Sequence, residues 1–326
     1  LSVCLLLAVE RVRTEARASF ANTISGTDLI VGARSGSVNL LLYSVFRIGN
    51  ATNNIRWDSF EHFANHRQVK WAIPISLGDS HRGYRVMGTS TAYFEHYRYA
   101  RSQALQLAQG REFADDPFEV VLGAEVAQAL GYGLGEEIVL AHGVATISLV
   151  KHDDKPFTVV GILERTGTPV DRTLHISLAG MEALHIDWQN GMPARGAAQI
   201  SADQVREWAS ACSQASRAQT GQGESGRGSA VESSLNEHSE PAFNAAASSA
   251  VACGQALQPK QITAFMLGLN SKIATFSLQR EINEFRGEPL LAILPGVALQ
   301  ELWSLMGTAE QALFVVSLFV VLTGLI

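Results

Sequence analysis

The chain ends in an apolar stretch, ALFVVSLFVVLTGLI, which runs from residue 312 to 326 without a charged side chain. A helix that crosses the hydrocarbon core of a bilayer needs about 20 such residues. A short apolar run can also form a buried core helix. This run, however, is apolar on every face, which is unusual for a core helix. We therefore expect 312–326 to begin a transmembrane helix that continues past Ile326.

A second charge-free run, LSVCLLLAV, occupies residues 1–9 and passes directly into charged residues at 10–15. No basic region precedes it and no small-residue cleavage pattern follows it, so a signal peptide is disfavoured. We expect the end of an earlier transmembrane helix here. The sequence thus predicts a large extramembrane domain between two helices in contact with membrane lipid.

Composition excludes some classes of function. The net charge of −6 argues against nucleic acid as a partner, because nucleic-acid binders need a basic surface. The glycine-rich turn at 34–37 has no Gly-Lys-Ser or Gly-Lys-Thr sequence after it, and no lysine of the chain follows a glycine. The chain therefore has no P-loop of its own, and we predict neither a cofactor nor a catalytic residue on it.

Hydrophobic periodicity and turn residues predict an alternating α and β chain. The predicted helices are 10–19, 58–66, 91–97, 124–130, 179–185, 273–286 and a long one that opens at 295–296. The predicted strands are 28–33, 69–77, 84–88, 118–122, 137–140, 146–150, 157–163, 175–178, 263–269 and 290–294, with a hairpin turn at 78–83.

Residues 201–259 form a segment of different composition, dominated after Ala209 by Ala, Ser, Gly and Gln. Such a segment buries too little apolar surface to offset the entropy of ordering it, so we expect it to be disordered or loosely helical. Cys212 and Cys253 lie within it. They either form a disulfide, if the domain is extracytoplasmic, or remain two free thiols.

Two groups of histidines resemble metal sites only superficially. His62 and His66 lie four residues apart on a predicted helix, but Phe63 stands where zinc proteases carry a glutamate. His152 is followed by two aspartates, a lysine and a proline. Adjacent residues of a turn point in different directions, so we interpret 152–156 as a solvated hairpin tip. The sequence predicts no metal site.

The loop at 166–173, TGTPVDRT, separates two predicted strands. Its glycine and proline restrict the backbone, and Asp171 is expected to pair with Arg172 or to cap the following helix. We regard Thr168, Pro169, Asp171 and Arg172 as a candidate contact with a partner or with another subdomain.

The order of these segments resembles that of the permease subunits of ABC transporters in the FtsX-like class, which carry a MacB-like periplasmic core domain between the first two transmembrane helices. The resemblance covers nearly the whole chain except 201–259. It rests on DLIVGA at 28–33, GREF at 110–113, VVLGAEVA at 120–127, HDDKPFTVVGIL at 152–163, TGTPVD at 166–171, QREIN at 279–283 and ELW at 301–303.

The resemblance implies an α+β fold, with a porter-like βαβ subdomain built from both ends of the domain and an inserted β-rich subdomain. The corresponding ranges are 1–9 and 312–326 for the membrane helices, 10–25 and 296–311 for two stalk helices, 26–109 and 260–295 for the porter-like part, 110–200 for the β-rich part, and 201–259 for the insert.

The resemblance also implies a function. Such permeases lie in the bacterial inner membrane, pair with a second permease chain and depend on a separate P-loop ATPase subunit. They carry no enzymatic activity themselves and move or extract a peptide, lipoprotein or other amphiphile, in some cases with a periplasmic partner. The alternative is a membrane-anchored regulatory or sensor ectodomain, which would have a closed pocket with convergent polar groups.

Overall fold

A computed structural model describes residues 11, 15, 22–114, 116–143, 152–188, 200–210 and 257–324. The strands are β1 (Leu29–Ala33), β2 (Ile55–Arg56), β3 (Val69–His81), β4 (Tyr84–Thr89), β5 (Arg98–Tyr99), β6 (Gln103–Ala104), β7 (Leu107–Gly110), β8 (Glu119–Leu122), β9 (Glu137–Ile138), β10 (Ala141–His142), β11 (Phe157–Leu163), β12 (Thr173–Ser177), β13 (Gln261–Ile262), β14 (Ala264–Leu269) and β15 (Leu290–Ile293).

The helices are α1 (Ser37–Leu41), which continues as a π-helical turn (Leu42–Phe46), α2 (Trp57–Ala64), α3 (Ala92–His96), α4 (Ala124–Leu130), α5 (Leu178–His185), α6 (Thr275–Asn283) and α7 (Pro295–Gly324). Short 3₁₀ helices occur at Pro169–Arg172 and Lys272–Ala274. Residues 202–210 are also helical.

One mixed sheet connects most of these strands in the order β15-β1-β14-β3-β4-β12-β8-β11-β7, and β10 and β9 pair with β3 and β11. The pairs β12–β4 and β11–β8 are parallel, and the other pairs of this sheet are antiparallel. The predicted α+β class is confirmed.

We call the first part of this sheet the stalk half: β15, β1, β14 and residues 69–75 of β3. β1 lies between β14 and β15 and is antiparallel to both, so β14, α6 and β15 form a split βαβ unit around it. Segments from both ends of the domain thus meet in one sheet.

Both faces of the stalk half are covered, and side chains alternate between them. Leu29 and Val31 of β1 pack in the cluster that contains Leu278 of α6, while Ile30 packs in the cluster that contains Leu40 of α1. This alternation follows from the period of two of a strand. It explains why β1 reads as an uninterrupted apolar run, as strands buried on both faces do.

We call the second part the histidine half: residues 76–81 of β3, with β4, β12, β8 and β11. β3 belongs to both halves, because residues 69–75 pair with β14 and residues 76–81 pair with β4. One continuous strand of 13 residues therefore joins the two halves.

Several predicted details are corrected. The turn predicted at 78–83 is shorter, because β3 extends to His81 and only Arg82 and Gly83, both with positive φ, form the turn. Two consecutive residues with positive φ are typical of the tight hairpin turn whose twist matches the flanking strands. The helix predicted at 273–286 is a 3₁₀ turn followed by the shorter α6.

Part of the segment predicted to be disordered or loosely helical forms a packed helix. Residues 202–210 are helical, with Val205 fully buried and Ala202 and Ala209 packed in the same cluster. The spacing of these three residues gives the helix one apolar face, which is enough to hold it against the histidine half. Residues 211–256 and the strand predicted at 146–150 lie outside the described residues.

Candidate functional site

The first candidate site is the junction between the sheet and helix α7. Only Leu294 separates β15 from α7, and Pro295 stands at the first helical position, where its missing N–H is not needed. The amide of Ala298 donates to the carbonyl oxygen of Leu294 at 3.0 Å. The helix therefore leaves the edge strand without a flexible connection.

We call residues 295–301 the root of α7. Ala298 is 2% exposed and belongs to the same core cluster as Leu40 and Leu41 of α1, with Leu299 packed against that cluster. At the end of the root, Ser37 Oγ donates to the carboxylate of Glu301. Apolar packing and a hydrogen bond thus fix the root to α1, which itself covers β1.

α1 can lie this close to β1 because residue 32 is glycine. A Cβ at Gly32 would meet Tyr43 Oη at 2.5 Å and Leu40 Cδ1 at 2.7 Å, which is shorter than any ordinary contact. The root of α7 is therefore coupled to the sheet through two routes, the chain connection from β15 and the packing of α1.

Beyond its root, α7 continues to Gly324, and its 30 residues give a length of about 45 Å. Val297, Leu305 and Met306 are more than 40% exposed along its first part. Among the residues that the structure describes, no helix is both long and apolar enough to cross a bilayer. Residues 1–9 lie outside this part of the chain.

The loop proposed as a partner contact is internally satisfied. Asp171 is 3% exposed, and its carboxylate accepts hydrogen bonds from the amides of Thr166 and Gly167, both at 2.8 Å. It does not cap the next helix, because Ser177 does so by accepting from the amide of Gly180. The expected Asp171–Arg172 pair is also replaced, since Arg172 binds Glu125.

The remaining residues of this loop fix it against α4. Thr168 is 6% exposed and accepts from the amide of Val170, and Thr173 Oγ1 donates to the carbonyl oxygen of Pro169. A Cβ at Gly123 would meet the carbonyl oxygen of Val170 at 2.2 Å, so the loop and α4 touch through backbone. Contact of this loop with a partner stays a prediction, and Cys212 and Cys253 lie outside the described residues.

A cluster of three histidines and one aspartate forms the second candidate site. Asp79 of β3, His142 of β10, His152 and His185 of α5 each offer one ligand atom, and these atoms lie within 4.8 Å of one another. His142 Nδ1 lies 3.2 Å from both Asp79 Oδ1 and His185 Nε2, and His185 Nε2 lies 3.7 Å from Asp79 Oδ1.

Local structure places each member. The pairing of β3 with β4 shifts its register between Leu77 and Ser80, and Asp79 pairs with His142 of β10 instead. Such a bulge redirects side chains, and Asp79, Ser80 and His81 are all buried. His152 is held by its amide, which donates to the carbonyl oxygen of Leu140 at 3.0 Å.

The electrostatics of the cluster differ from one histidine to the next. A hydrogen-bonding contact with Asp79 raises the pKa of His142 above 6.5, against the smaller opposing effect of burial. Burial lowers the pKa of His152 to about 4, so this imidazole is neutral at neutral pH and keeps a lone pair for a ligand. Trp188 covers the group, with its ring 4.7 to 5.5 Å from the three imidazoles.

The interpretation of 152–156 as a solvated hairpin tip is therefore wrong. His152 is 2% exposed and Lys155 is 1% exposed. Lys155 Nζ donates to Asp187 Oδ1 and Asp154 Oδ2, both at 3.0 Å. The buried ammonium is tolerated because two carboxylates accept its hydrogen bonds. A turn of charged residues was read as exposed because its partner Asp187 lies far away in sequence.

Of the histidines that the sequence analysis considered, His152 belongs to this cluster, whereas His62 and His66 are separate from it. His62 is exposed and stacks on Phe285 at 5.2 Å, and His66 lies 3.7 Å from Glu281. Sequence spacing could not have found the real cluster, because its four members come from four separate elements. The sequence offered one signal for the cluster, which is that His152 lies shortly before the apolar strand that begins at Phe157.

Comparisons with known proteins address the family. The sequence model described as the MacB-like periplasmic core domain matches residues 2–221. No curated protein matches the chain. Two solved structures are similar at low identity. The periplasmic region of MacB from Actinobacillus actinomycetemcomitans has 12% identity and a TM-score of 0.44, and the alignment covers 86% of this chain and 94% of that one.

The extracellular domain of the noncanonic ABC-type transporter YknZ from Gram-positive bacteria has 9% identity and a TM-score of 0.37, with 82% of this chain and 99% of that one covered. The family match is the stronger finding, since it spans more than half of the chain. It agrees with the α+β class of the fold. The chain belongs to the family of MacB-like periplasmic core domains.

Proposed function

We propose that this chain is the extracytoplasmic domain of an ABC transporter permease subunit in a bacterial inner membrane. In this proposal a separate P-loop ATPase hydrolyses ATP, and the domain passes the resulting motion to the extracytoplasmic side. Membership of the MacB-like family supports the general kind of protein. The cargo would be a peptide, a lipoprotein or another amphiphile, exported or extracted by a pair of permease chains.

The observation that carries the proposal is the root of α7. A helix passes on motion only if its end is rigidly attached to what it moves. Here the root follows β15 after one residue, buries Ala298 in the core and is bonded through Glu301 to Ser37. Displacement of α7 would therefore load the root and α1 and be passed to the stalk half, because both attachments lead into the same sheet.

The other end of α7 fits the same role. Its last part is the apolar run that begins at residue 312, and the helix is continuous from Pro295 to Gly324. A helix without proline or glycine kinks in its interior transmits force along its axis. Gly307 is the one interior glycine between 297 and 323, and the helix is unbroken there. We propose that this run continues into the membrane, where it meets the moving parts of the permease.

The test is the composition of the complex around the full-length protein. The protein is tagged, extracted from its native membranes in mild detergent and purified, and its co-purifying chains are identified and quantified by mass spectrometry. An unrelated multi-pass protein with the same tag serves as the control. The proposal predicts a P-loop ATPase in stoichiometric amount with this protein and not with the control.

The opposite result is equally informative. If a known ABC complex from the same membranes survives the extraction but no ATPase accompanies this protein, the transport function is wrong. A membrane-anchored sensor or regulatory ectodomain would then be the better account, and a search for a ligand or an extracellular partner would replace the search for cargo.

A further inference from the structure

The four-residue cluster contains a buried carboxylate, Asp79, which faces imidazole rings and no lysine or arginine among the described ion pairs. The side chain of Asp79 is fully buried, and its carboxylate oxygens accept no well-aligned hydrogen bond from the residues that the structure describes. The groups nearest to Oδ1 are two imidazoles, with His142 Nδ1 at 3.2 Å and His185 Nε2 at 3.7 Å. Within the same part of the chain, the buried Nε2 of His152 has no hydrogen-bond partner. Burial of a carboxylate without a partner is strongly unfavourable, and native proteins rarely keep such a group.

The spacing of the cluster matches a metal centre. Two ligands about 2.05 Å from a tetrahedral zinc ion lie about 3.3 Å apart. The separations between His142 Nδ1, His185 Nε2 and Asp79 Oδ1 are 3.2, 3.2 and 3.7 Å. The fourth ligand, on His152, lies within 4.8 Å of the others. Side-chain movement of about 1 Å brings all four to bonding distance.

The orientation of His185 supports the same geometry. Its Nδ1 lies 3.2 Å from the carbonyl oxygen of Met181 and donates to it, which leaves the lone pair on Nε2 directed at Asp79 and His142. Metal-binding histidines are typically oriented in this way, by a second hydrogen bond from the other ring nitrogen to a carbonyl or carboxylate. The indole ring of Trp188 packs against the imidazole of His185 and excludes water from one side of the four-residue cluster.

We propose that Asp79, His142, His152 and His185 together bind one Zn²⁺ ion. The ion neutralises the buried carboxylate of Asp79, accepts the lone pairs of three imidazoles and gives the buried Nε2 of His152 a partner. Three imidazoles and one carboxylate are ligands that suit zinc, whereas Mg²⁺ and Ca²⁺ prefer sites made of oxygen atoms. The inference does not rest on the proposed function, because it uses only the cluster.

The role that follows is structural. The four ligands come from β3, β10, the turn before β11 and α5, so the ion ties four elements of the histidine half to one point. A four-coordinate site without an open position for substrate is typical of structural zinc. The side chain of His142 is 49% exposed, which gives the ion a route from solvent and lets chelators remove it.

The experiment uses the full-length protein with a tag that contains no histidine. Metal content is measured by inductively coupled plasma mass spectrometry after treatment with EDTA, reloading with Zn²⁺ and desalting. Competition with a chromophoric zinc chelator gives the affinity. The variants are His142→Ala, which is half exposed and tolerates truncation, and His152→Phe, which keeps an aromatic ring against Trp188. The control is the double variant His62→Ala with His66→Ala.

The proposal predicts one zinc ion per chain that disappears in each cluster variant and remains in the control. Loss of a ligand is expected to weaken zinc binding on the order of 100-fold or more. Replacement of zinc by Co²⁺ is expected to give the intense visible absorption of a four-coordinate ion in the unaltered protein and the control, but not in His142→Ala.

Folding is monitored separately, so that a misfolded variant is not mistaken for a lost ligand. EDTA is expected to lower the midpoint of thermal unfolding of the unaltered protein and to leave that of His142→Ala unchanged, because binding to the folded state alone stabilises it. Zinc content that is equal in the cluster variants and the unaltered protein, or the absence of bound zinc after reloading, overturns the proposal.

Discussion

The two halves of the sheet are held together by different means. The core of the stalk half consists almost wholly of apolar side chains such as Leu29, Ile30, Phe265 and Leu267, each fully buried. The histidine half buries ionisable groups as well, among them Asp79, His152, Lys155 and His175. The stalk half is stabilised mainly by the hydrophobic effect, which is non-directional and does not require a specific partner for each side chain. The second half needs particular partners for each charge.

The largest effect is expected in the stalk half. Phe265→Ala removes a fully buried ring that packs against Phe60 at 5.4 Å. The free energy of unfolding is expected to fall by about 4 kcal/mol, from lost apolar burial and the cavity left behind. Denaturant unfolding at neutral pH measures it. The matched control is Phe276→Ala, because Phe276 is 71% exposed, and this substitution should change the free energy of unfolding little. Equal effects of the two would contradict the described core.

A somewhat smaller effect is expected when the buried ion pair of the histidine half is broken. Lys155→Met leaves Asp187 buried without its main counter-charge and is expected to cost about 3 kcal/mol. The double variant Lys155→Met with Asp187→Leu removes both charges and should recover most of this loss. Unfolding midpoints of the three proteins test it. A double variant as unstable as the single one would show that the pair is not coupled.

The third prediction concerns the loss of stability at acidic pH that the buried His175 causes. Burial lowers the pKa of His175 to about 3, against 6.5 when unfolded, so the unfolded chain binds a proton first as the pH falls. Stability is therefore lost from pH 6.5 downward, roughly 2 kcal/mol between pH 6.5 and 5. His175→Leu should lack this part of the acid dependence, and the exposed His62→Leu should keep it. Identical pH profiles of His175→Leu and the unaltered protein would be inconsistent with a buried neutral imidazole.

The smallest effect is expected at the edge of the histidine half. Burial favours the neutral form of Glu119, but hydrogen bonds from Arg111 and the amide of Ala114 outweigh it and lower the pKa below 4.5. The carboxylate thus stabilises the fold above pH 4.5, and this contribution disappears as the pH falls through the lowered pKa. Arg111 is 56% exposed, so Glu119→Gln should cost only about 1 kcal/mol at pH 7.

The control for this prediction is Asp203→Asn, whose carboxylate is 93% exposed beside Arg206. It should leave the unfolding free energy unchanged at both pH 7 and pH 4. The difference between Glu119→Gln and the unaltered protein should shrink on acidification. A difference that grew instead would mean that folding raises the pKa of Glu119 and does not lower it.

The same contrast explains what the sequence could predict. Strands such as β1 and β14, the helix α4 with its glycine stop at Gly131, and the long helix from Pro295 follow from apolar period and from glycine and proline positions. These rules act on neighbours in sequence. Nearly all strands of the stalk half carry such local patterns, and their predicted bounds agree with the structure to within a few residues.

The candidate site was harder, because its chemistry depends on residues that are distant in sequence. The sequence predicts His152 and Lys155 to be exposed, because the residues that surround them are distant in sequence. Asp79, in the cluster with His152, lies on β3, and Asp187, which pairs with Lys155, follows α5. No sequence pattern predicted the bulge that turns Asp79 inward. In the structure it is accompanied by three consecutive buried residues at the end of β3. The root of α7 was partly predictable, because Pro295 and Gly296 mark the start of the helix, but its bond to Ser37 was not.

In the proposed function α7 carries motion into the stalk half, and amide hydrogen exchange tests this transmission most directly. The full-length protein, in lipid nanodiscs with the ATPase subunit that the proposed function predicts, is compared without nucleotide and with ATP trapped by vanadate. We predict altered exchange in the root of α7 at 295–301 and in α1 at Ser37–Leu41, with β11 at Phe157–Leu163 unchanged. Unaltered exchange at the root, with trapped nucleotide confirmed on the ATPase, would contradict the account.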